Sequence, residues 1–236
     1  MIKDLLQNYI KDYKTTLTEN QYEQFQKYFE LLAEWNEKMN LTAIKDESGV
    51  ALKHFADSLS LLNFVDIPQN SSLADVGTGA GFPGVVLKIA RPDIKLTLID
   101  SLNKRLVFLG EVCAQLGIKA ELIHSRAEDG ARDEKLRENF DFAVSRAVAR
   151  MNVLSEYCLP YVKVGGAFCA MKGAQANEEF KESLNAINTL GGKLENKYFF
   201  ELPENGGERA IAVVRKVKNT PQKYPRQSGK IKAKAL

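Results

Sequence analysis

The chain has 236 residues, a formal net charge of +3, 44% hydrophobic residues and 27% charged residues. This composition is typical of a globular protein, and it excludes a disordered, collagen-like or low-complexity chain. Three widely spaced cysteines and only two histidines exclude a disulfide scaffold and argue against a structural metal site.

The sequence also bears on where the protein acts. Its N-terminus becomes polar within a few residues and lacks the apolar run of a signal peptide. No later segment reaches the roughly 18 to 20 uninterrupted apolar residues that span a membrane. We therefore predict a cytoplasmic protein in which Cys113, Cys158 and Cys169 pack as small apolar groups.

The first 65 residues have a helical pattern. Apolar side chains recur every three or four positions over residues 22–35, and again over residues 48–64, which is the spacing of one helix face. No strong strand signal occurs before residue 72. This pattern predicts a helical cap of several short helices over residues 1–65.

From residue 72 onward, short β-like runs alternate with helical segments. The runs cover residues 73–76, 96–99, 121–123, 142–144 and 166–170, and the helical segments cover residues 84–90, 104–116 and 153–157. This alternation favours a parallel sheet with helices on both faces. Two further runs, 198–202 and 209–214, flank a Pro/Gly-containing turn and predict a final antiparallel hairpin. The predicted fold is α/β, with a seven-stranded, mostly parallel sheet over residues 66–217.

A glycine-rich motif follows the first predicted strand and opens a helix. Asp75 is followed by alternating glycines at Gly77, Gly79 and Gly81. Glycines let backbone amides approach a ligand closely, and Asp75 would either reach a ligand ammonium group or order the loop. The spacing fits S-adenosylmethionine sites; it also formally fits the dinucleotide fingerprint. A glycine-rich turn without a ligand is the remaining alternative.

The loops after the next strands carry further candidates. Asp100 closes the second strand, where it could accept hydrogen bonds from two ribose hydroxyls. Residues 125–128 follow the third strand and should flank an adenine; as a helix start, Ser125 and Glu128 would also form a capping box. Arg146 ends the fourth strand and is expected to contact a carboxylate or a phosphate; a surface cation without a specific contact is the alternative.

The sequence lacks two motifs that mark particular classes of methyltransferase. No Asn/Asp-Pro-Pro-Tyr/Phe loop follows the fourth strand, and no cysteine is preceded by proline. These absences disfavour exocyclic base amines and pyrimidine carbon 5 as acceptors. A ring nitrogen such as guanine N7 needs neither motif because its lone pair is already nucleophilic. Carboxylate and oxygen acceptors would also lack both motifs.

The sequence resembles the bacterial small-subunit ribosomal RNA guanine-N7 methyltransferases, also called glucose-inhibited division protein B. The resemblance runs from about residue 22 to the tail. It is carried by residues 35–42, 54–59, 75–84, 101–105, 126–128, 145–147, 171–173 and 224–226. Its most specific part is Phe82-Pro83-Gly84 after the glycines. The last basic segment departs from the family because residues 230–233 contain no proline.

The resemblance implies a Rossmann-like, class I S-adenosylmethionine-dependent enzyme that methylates N7 of a guanine in the decoding-region loop of 16S rRNA. Cofactor contacts would fall on Gly77, Phe82, Asp100, Ala127, Glu128 and Arg146. Asn40, His54 and Asp57 would line the pocket from the cap. Spacing alone favours His54 and Asp57 as a structural pair on one helix face.

The partner implied by the resemblance is 16S rRNA or the small ribosomal subunit, bound by a monomer without a metal or a membrane. Recognition would be mostly electrostatic, and its candidates are Lys104, Arg105, Lys172, Arg209 and the basic tail (218–236) with Arg226. From residue 216 to the C-terminus the sequence has seven basic residues, no acidic one and a loop-like composition. A merely solvated end is the alternative for that tail. The target guanine has to leave its stack.

Three other functions remain open at this level. A methyltransferase for a small molecule or a protein would not need the basic tail. A nicotinamide-dependent oxidoreductase would bind NAD in place of S-adenosylmethionine. A non-catalytic RNA-binding module would bind RNA without a cofactor, and the intact motif from Asp75 to Gly84 argues against it.

Overall fold

A computed structural model describes residues 1–174 and 176–236. Its strands are β1 (Ser72–Val76), β2 (Lys95–Asp100), β3 (Ala120–His124), β4 (Phe140–Arg146), β5 (Val162–Gly173), β6 (Gly192–Glu201) and β7 (Glu208–Lys216). They form one seven-stranded sheet in the order β3-β2-β1-β4-β5-β7-β6. The sheet predicted from the sequence, including its final hairpin, is confirmed.

The order of the strands creates a crevice at the carboxyl ends of the parallel strands. Strands β3, β2, β1, β4 and β5 are parallel, whereas β7 is antiparallel to both β5 and β6. The chain moves outward from β1 to β3 and then crosses to β4 on the other side of β1. Ligands of such sheets bind at the carboxyl ends of the strands next to this change of direction.

Helices cover both faces. They are α1 (Ile2–Tyr9), α2 (Glu19–Met39), α3 (Glu47–Val50), α4 (Asp57–Leu59), α5 (Leu61–Phe64), α6 (Gly84–Ala90), α7 (Asn103–Leu116), α8 (Ala127–Gly130), α9 (Met151–Cys158), α10 (Ala176–Glu182), α11 (Leu184–Thr189) and α12 (Ser228–Ala233). Helix α2 starts at a capping box, in which the Thr18 hydroxyl accepts from the Gln21 amide. It ends at Asn40, which has the left-handed conformation common at helix ends.

The predicted helical segment 48–64 contains an irregularity that matters for the site. Between α3 and α4, residues Ala51–Ala56 form a π-helical turn. The amide of Asp57 accordingly donates to Leu52, five residues earlier. Such wider turns shift the side chains that follow them and are frequent at functional sites. His54 lies within this turn.

Two apolar clusters sandwich the sheet. One joins the N-terminal helices, through residues such as Leu6, Phe25 and Phe55, to the face that carries α6 and α7. The other packs α9 and the C-terminal residues Tyr224 and Ile231 against the opposite face. The three cysteines are buried and free, which confirms the prediction that they pack as apolar groups.

The end of the chain differs from the sequence-based prediction. A loop-like tail was expected after residue 217, but residues Ser228–Ala233 form helix α12. Ile231 is fully buried, and burial of an aliphatic side chain stabilises a short helix that its composition alone would not. None of the helices in the described residues combines the length and apolarity that crossing a bilayer requires.

Candidate functional site

A cavity of about 500 Å³ opens at the carboxyl ends of β1, β2 and β4. This volume is in the range of small-molecule sites. Its walls come from the loop after β1, the ends of β2 and β4, the start of α8, and the cap. The lining residues include Leu41, Thr42, His54, Gly77, Thr78, Gly79, Phe82, Asp100, Arg105, Ala127, Glu128, Arg146, Tyr157 and Ser228. We call it the donor cavity.

The glycine-rich loop is shaped by its backbone. Gly77, Gly79 and Gly81 all have positive φ angles, between 62° and 99°, a region that other residues rarely adopt. At Gly81 a methyl group would also collide with the hydroxyl of Tyr28. Alternating glycines are therefore required by the conformation of the loop, whose open side faces the cavity.

Asp75 lies beneath the loop and is not among the residues that line the cavity. Its Oδ2 accepts hydrogen bonds from the Thr78 hydroxyl and the Gly84 amide, both at 2.8 Å. Complete burial raises its pKa to about 6, although these hydrogen bonds lower it. Of the two alternatives left by the sequence, the structure therefore favours ordering of the loop.

Asp100 lines the cavity at the end of β2. Its carboxylate accepts from the amides of Gly79 and Leu102, both at 2.9 Å, and from the Arg105 guanidinium at 3.2 Å. Two backbone donors fix the carboxylate next to the glycine loop, where it is only 2% exposed. Arg105, considered as an RNA contact from the sequence, is thus placed in the wall of the cavity.

Helix α8 provides the wall after β3. Ala127 and Glu128 both line the cavity, and the Tyr161 hydroxyl donates to the Ala127 carbonyl at 2.8 Å. The predicted capping box is wrong. Arg126 is the N-cap without a side-chain cap, and the Ser125 hydroxyl donates to the Arg126 carbonyl instead.

Arg146 joins the end of β4 to the cap. Its Nη1 donates to Asp57 Oδ2 at 2.8 Å and to the Lys53 carbonyl at 2.9 Å. Its Nη2 lies 3.3 Å from His54 Nδ1. The carboxylate that Arg146 contacts in the structure is the protein's own Asp57. His54 and Asp57, expected as a pair, have no direct hydrogen bond in the described residues; both contact Arg146 instead.

The imidazole of His54 makes two contacts besides the one with Arg146. It stacks on Phe82, with ring centroids 4.5 Å apart, and its Nε2 lies 2.8 Å from the Thr42 hydroxyl. Burial and the neighbouring Arg146 cation lower the pKa of His54 to about 3. The ring is therefore neutral at physiological pH.

Asn40 lies apart from this network. It is exposed at the end of α2 and lines neither the donor cavity nor the second cavity described below. The sequence analysis assigns no role to Asn36, yet its side-chain amide makes two 2.9 Å hydrogen bonds with the backbone of Thr42. A buried asparagine on an apolar helix face is the signal that could have identified it.

A second cavity of about 360 Å³ lies on the other side of Arg146. It shares His54, Arg146 and Ala147 with the donor cavity and adds charged and apolar walls, namely Ile44, Lys53, Asp57, Met171, Lys172, Gly173, Phe200, Arg209, Ala210 and Ile211. Arg209 Nε lies 3.3 Å from Asp57 Oδ1. The structure thus brings Lys172 and Arg209, considered as RNA contacts, to this second cavity, although Lys172 also pairs with Glu179 at 2.7 Å.

The other basic candidates occupy different environments. Lys104 is exposed near the start of α7. The guanidinium of Arg226 binds the fully buried carboxylate of Glu156. Among the residues that the structure describes, no group of three His, Cys, Asp or Glu side chains could hold a metal ion.

Comparisons with known proteins agree with this architecture. Residues 21–205 match the family model GidB, described as rRNA small subunit methyltransferase G. The chain is 53% identical to the ribosomal RNA small subunit methyltransferase G of Leuconostoc citreum, covering 93% of both chains. It is 49% identical to that of Alkaliphilus oremlandii, covering 97% of this chain and 96% of the other.

Solved structures show the same fold at low sequence identity. A precorrin-6y C5,15-methyltransferase from Geobacter metallireducens matches with a TM-score of 0.50 and 13% identity, over 67% of this chain and 86% of that one. The Methanococcus jannaschii fibrillarin pre-rRNA processing protein matches with a TM-score of 0.52 and 17% identity, over 69% and 74%. The fold is that of class I S-adenosylmethionine-dependent methyltransferases.

Proposed function

This chain belongs to the GidB family of rRNA small subunit methyltransferases G, and we propose that it methylates N7 of a guanine in the decoding-region loop of 16S rRNA. The observation that carries the proposal is the meeting of two cavities at His54, Arg146 and Ala147. A methyl transfer needs the donor and the acceptor in adjoining sites, and we call the boundary formed by these three shared residues the passage.

The donor cavity fits S-adenosylmethionine, which supplies an electrophilic methyl group on a sulfonium. Asp100 is fixed where a carboxylate could accept from ribose hydroxyls. The start of α8 with Ala127 and Glu128 would flank the adenine, and the backbone of the glycine loop at Gly77 and Gly79 would hold the remainder. Phe82, which stacks on His54, lies between this cavity and the cap.

The second cavity would receive the guanine. Its walls combine apolar side chains, such as Phe200 and Ile211, with the cations of Lys53, Lys172 and Arg209. A planar base packs against the apolar walls, and its O6 acceptor suits a basic side chain. The base has to leave its RNA stack to enter such a cavity.

The reaction requires alignment and no proton transfer. The N7 lone pair forms the new C–N bond while the C–S bond breaks, and the positive charge passes from sulfur to the guanine ring. His54 is already neutral, and no base is needed because N7 carries no proton. We assign His54 and Arg146 to positioning at the passage, where orientation determines the rate.

The substrate is 16S rRNA or the small subunit, bound in the cytoplasm by a monomer. Lys104, Lys172 and Arg209 would contribute to RNA binding, which makes affinity depend on salt. A small-molecule or protein acceptor is the competing function. It predicts methyl transfer in the absence of RNA.

The proposal is tested with 7-deazaguanosine, in which C–H replaces N7. The methylated position is first mapped on undermethylated 16S rRNA by cleavage at N7-methylguanosine. A transcript with 7-deazaguanosine at that position should bind normally and accept no methyl group, whereas the same replacement at a neighbouring guanine should leave transfer unchanged. Transfer to the 7-deaza position, or to protein, would refute the proposal.

A further inference from the structure

The C-terminal residues return to the donor cavity. After β7 the chain crosses the face that carries α9, and Ser228, the first residue of α12, lines the donor cavity together with Tyr157. We call residues 219–231 the C-terminal strap. The basic composition of this region suggested an arm for RNA, but nothing in the sequence indicated that it reaches the cofactor.

The first half of the strap is held by two charged residues of the body. Glu138 accepts from the side-chain amide of Asn219 at 2.6 Å and from the amide of Thr220 at 2.7 Å. Arg137 donates to the carbonyls of Thr220 and Tyr224, both at 2.8 Å. These are charge-assisted hydrogen bonds, the stronger kind, and they fix the backbone of the strap.

A buried ion pair anchors the strap immediately before Ser228. The carboxylate of Glu156 accepts from the amide, Nε and Nη2 of Arg226 at 2.7, 2.9 and 2.6 Å. Glu156 is fully buried, so loss of its partner would leave an uncompensated buried charge. Ile231, on the far side of Ser228, is also fully buried. Ser228 is therefore held from both sides.

The position of Tyr157 shows which end of the cavity the strap covers. Tyr157 follows Glu156 on α9 and lines the donor cavity. Burial, followed by the nearby carboxylates of Glu128 and Glu156, raises its pKa. Glu128 belongs to the wall after β3, which the proposed function assigns to the adenine. Arg226, which binds the Glu156 neighbour of Tyr157, precedes Ser228 by two residues, so we place Ser228 at this nucleoside end of the cavity.

We infer that the C-terminal strap is a wall of the donor site, in which Ser228 contacts the nucleoside part of S-adenosylmethionine and the Glu156–Arg226 pair holds it there. Arg226 is accordingly a positioning residue for the cofactor rather than a phosphate contact. The inference concerns only the donor cavity, so it is independent of which base is methylated.

The test places a bulky side chain at position 228, where it would project into the donor cavity. Ser228→Trp should weaken binding of S-adenosylmethionine, S-adenosylhomocysteine and 5′-methylthioadenosine by at least about tenfold each in calorimetric titrations of the full chain, a loss of about 1.4 kcal/mol. Methylthioadenosine lacks the amino-acid part, so an equal loss for all three ligands places the contact at the nucleoside. Lys234→Trp is the matched control, since Lys234 is exposed just beyond the strap; its affinities should equal those of the wild type.

Unchanged affinities in a folded Ser228→Trp protein would overturn the inference, and so would a loss that spares methylthioadenosine. Ser228→Ala, which removes only the hydroxyl, keeps the test valid if the tryptophan variant does not fold; it should weaken all three ligands by a few fold. No change in Ser228→Ala would then reject the contact.

Arg226→Gln separates the two roles of that arginine. If Arg226 holds the strap, the variant should lower the affinity for S-adenosylhomocysteine and increase hydrogen exchange over residues 226–233, while the salt dependence of RNA binding stays unchanged. If Arg226 contacts phosphate instead, the salt dependence should flatten by about one unit of slope with normal cofactor affinity. That result would refute the positioning role.

Discussion

The walls of the donor cavity and those of the second cavity are built in different ways. The shape of the donor cavity is set by the backbone. Three glycines have positive φ angles, and two backbone amides fix the carboxylate of Asp100. The second cavity depends on charged side chains from the cap, β4 and β7, linked through Asp57 to Arg146 and Arg209. A substitution in the backbone of the donor cavity should abolish cofactor binding. A substitution in the second cavity should lower the rate of methyl transfer and change the cofactor affinity less.

The largest effect is expected at Gly81. In Gly81→Ala, the new methyl group collides with the Tyr28 hydroxyl in a strained backbone conformation, so the loop cannot keep its shape. We expect no detectable binding of S-adenosylhomocysteine by calorimetry and a protein less stable by about 1 to 3 kcal/mol. Gly110→Ala, inside α7 with only an ordinary contact nearby, is the control and should bind normally.

Arg146→Met would break the connection between the cap and β4. It removes the stronger of the two contacts that the described residues give Asp57 and takes away the contact at His54 Nδ1, so the two cavities lose their alignment. Single-turnover methylation should fall on the order of 100-fold, and the affinity for S-adenosylhomocysteine should fall much less. Arg146→Lys, which keeps the charge, should recover part of the rate. Equal losses of rate and cofactor affinity would contradict the division between the cavities.

A smaller effect is expected at Arg209. Arg209→Gln removes a cation from the second cavity and should raise the Kd for RNA by roughly tenfold, with cofactor affinity unchanged. Arg215→Gln is the control, since Arg215 lies on the same strand but pairs with Glu195 outside both cavities. If both variants behave alike in a filter-binding titration against salt, Arg209 has no special role.

The last prediction concerns the dependence of the free energy of unfolding on pH. His54 has a folded pKa of about 3, below its unfolded value of about 6.5. Its contribution to stability is therefore present above pH 6.5 and is lost as the pH falls towards 3. Asp75 has a folded pKa of about 6, above its unfolded 3.8, so its contribution is present below pH 3.8 and is lost as the pH rises to 6.

Between pH 4 and 6 the two contributions oppose each other, and single variants should separate them. Relative to the wild type, His54→Asn should lose stability with rising pH, by up to about 1.4 kcal/mol per pH unit, and Asp75→Asn should gain it. Urea unfolding at pH 4, 5 and 6 measures these slopes. Parallel curves for the three proteins would show that neither group is perturbed.

The same contrast explains what the sequence could predict. The glycine loop, Asp100 and the seven strands are specified by residues close together in the chain, and period and spacing identified them. The role of Asn36 and the position of Arg105 depend on how the chain turns just outside a helix or strand, which the period of that element does not reveal. Asn36 bonds the backbone of Thr42 beyond the end of α2, and Arg105 reaches back to Asp100 at the end of β2. The π-helical turn at Ala51–Ala56 is a further example, because it turns His54 and Asp57 toward Arg146 instead of toward each other.

The C-terminal strap was missed for a related reason. Its lysines and prolines give a loop-like composition, and the residues that fix it, Arg137, Glu138 and Glu156, lie far away in the sequence. Two separated buried apolar side chains, Tyr224 and Ile231, are a weak signal in a basic segment. Burial against a distant helix decides its structure.

A crystal structure with S-adenosylhomocysteine bound is the most direct test of how the two cavities work together. We expect the ribose hydroxyls on Asp100, the adenine between α8 and Ser228, and the sulfur facing the passage at His54 and Arg146. A sulfur atom directed away from that passage, with the second cavity closed off from it, would refute the proposal that donor and acceptor meet there.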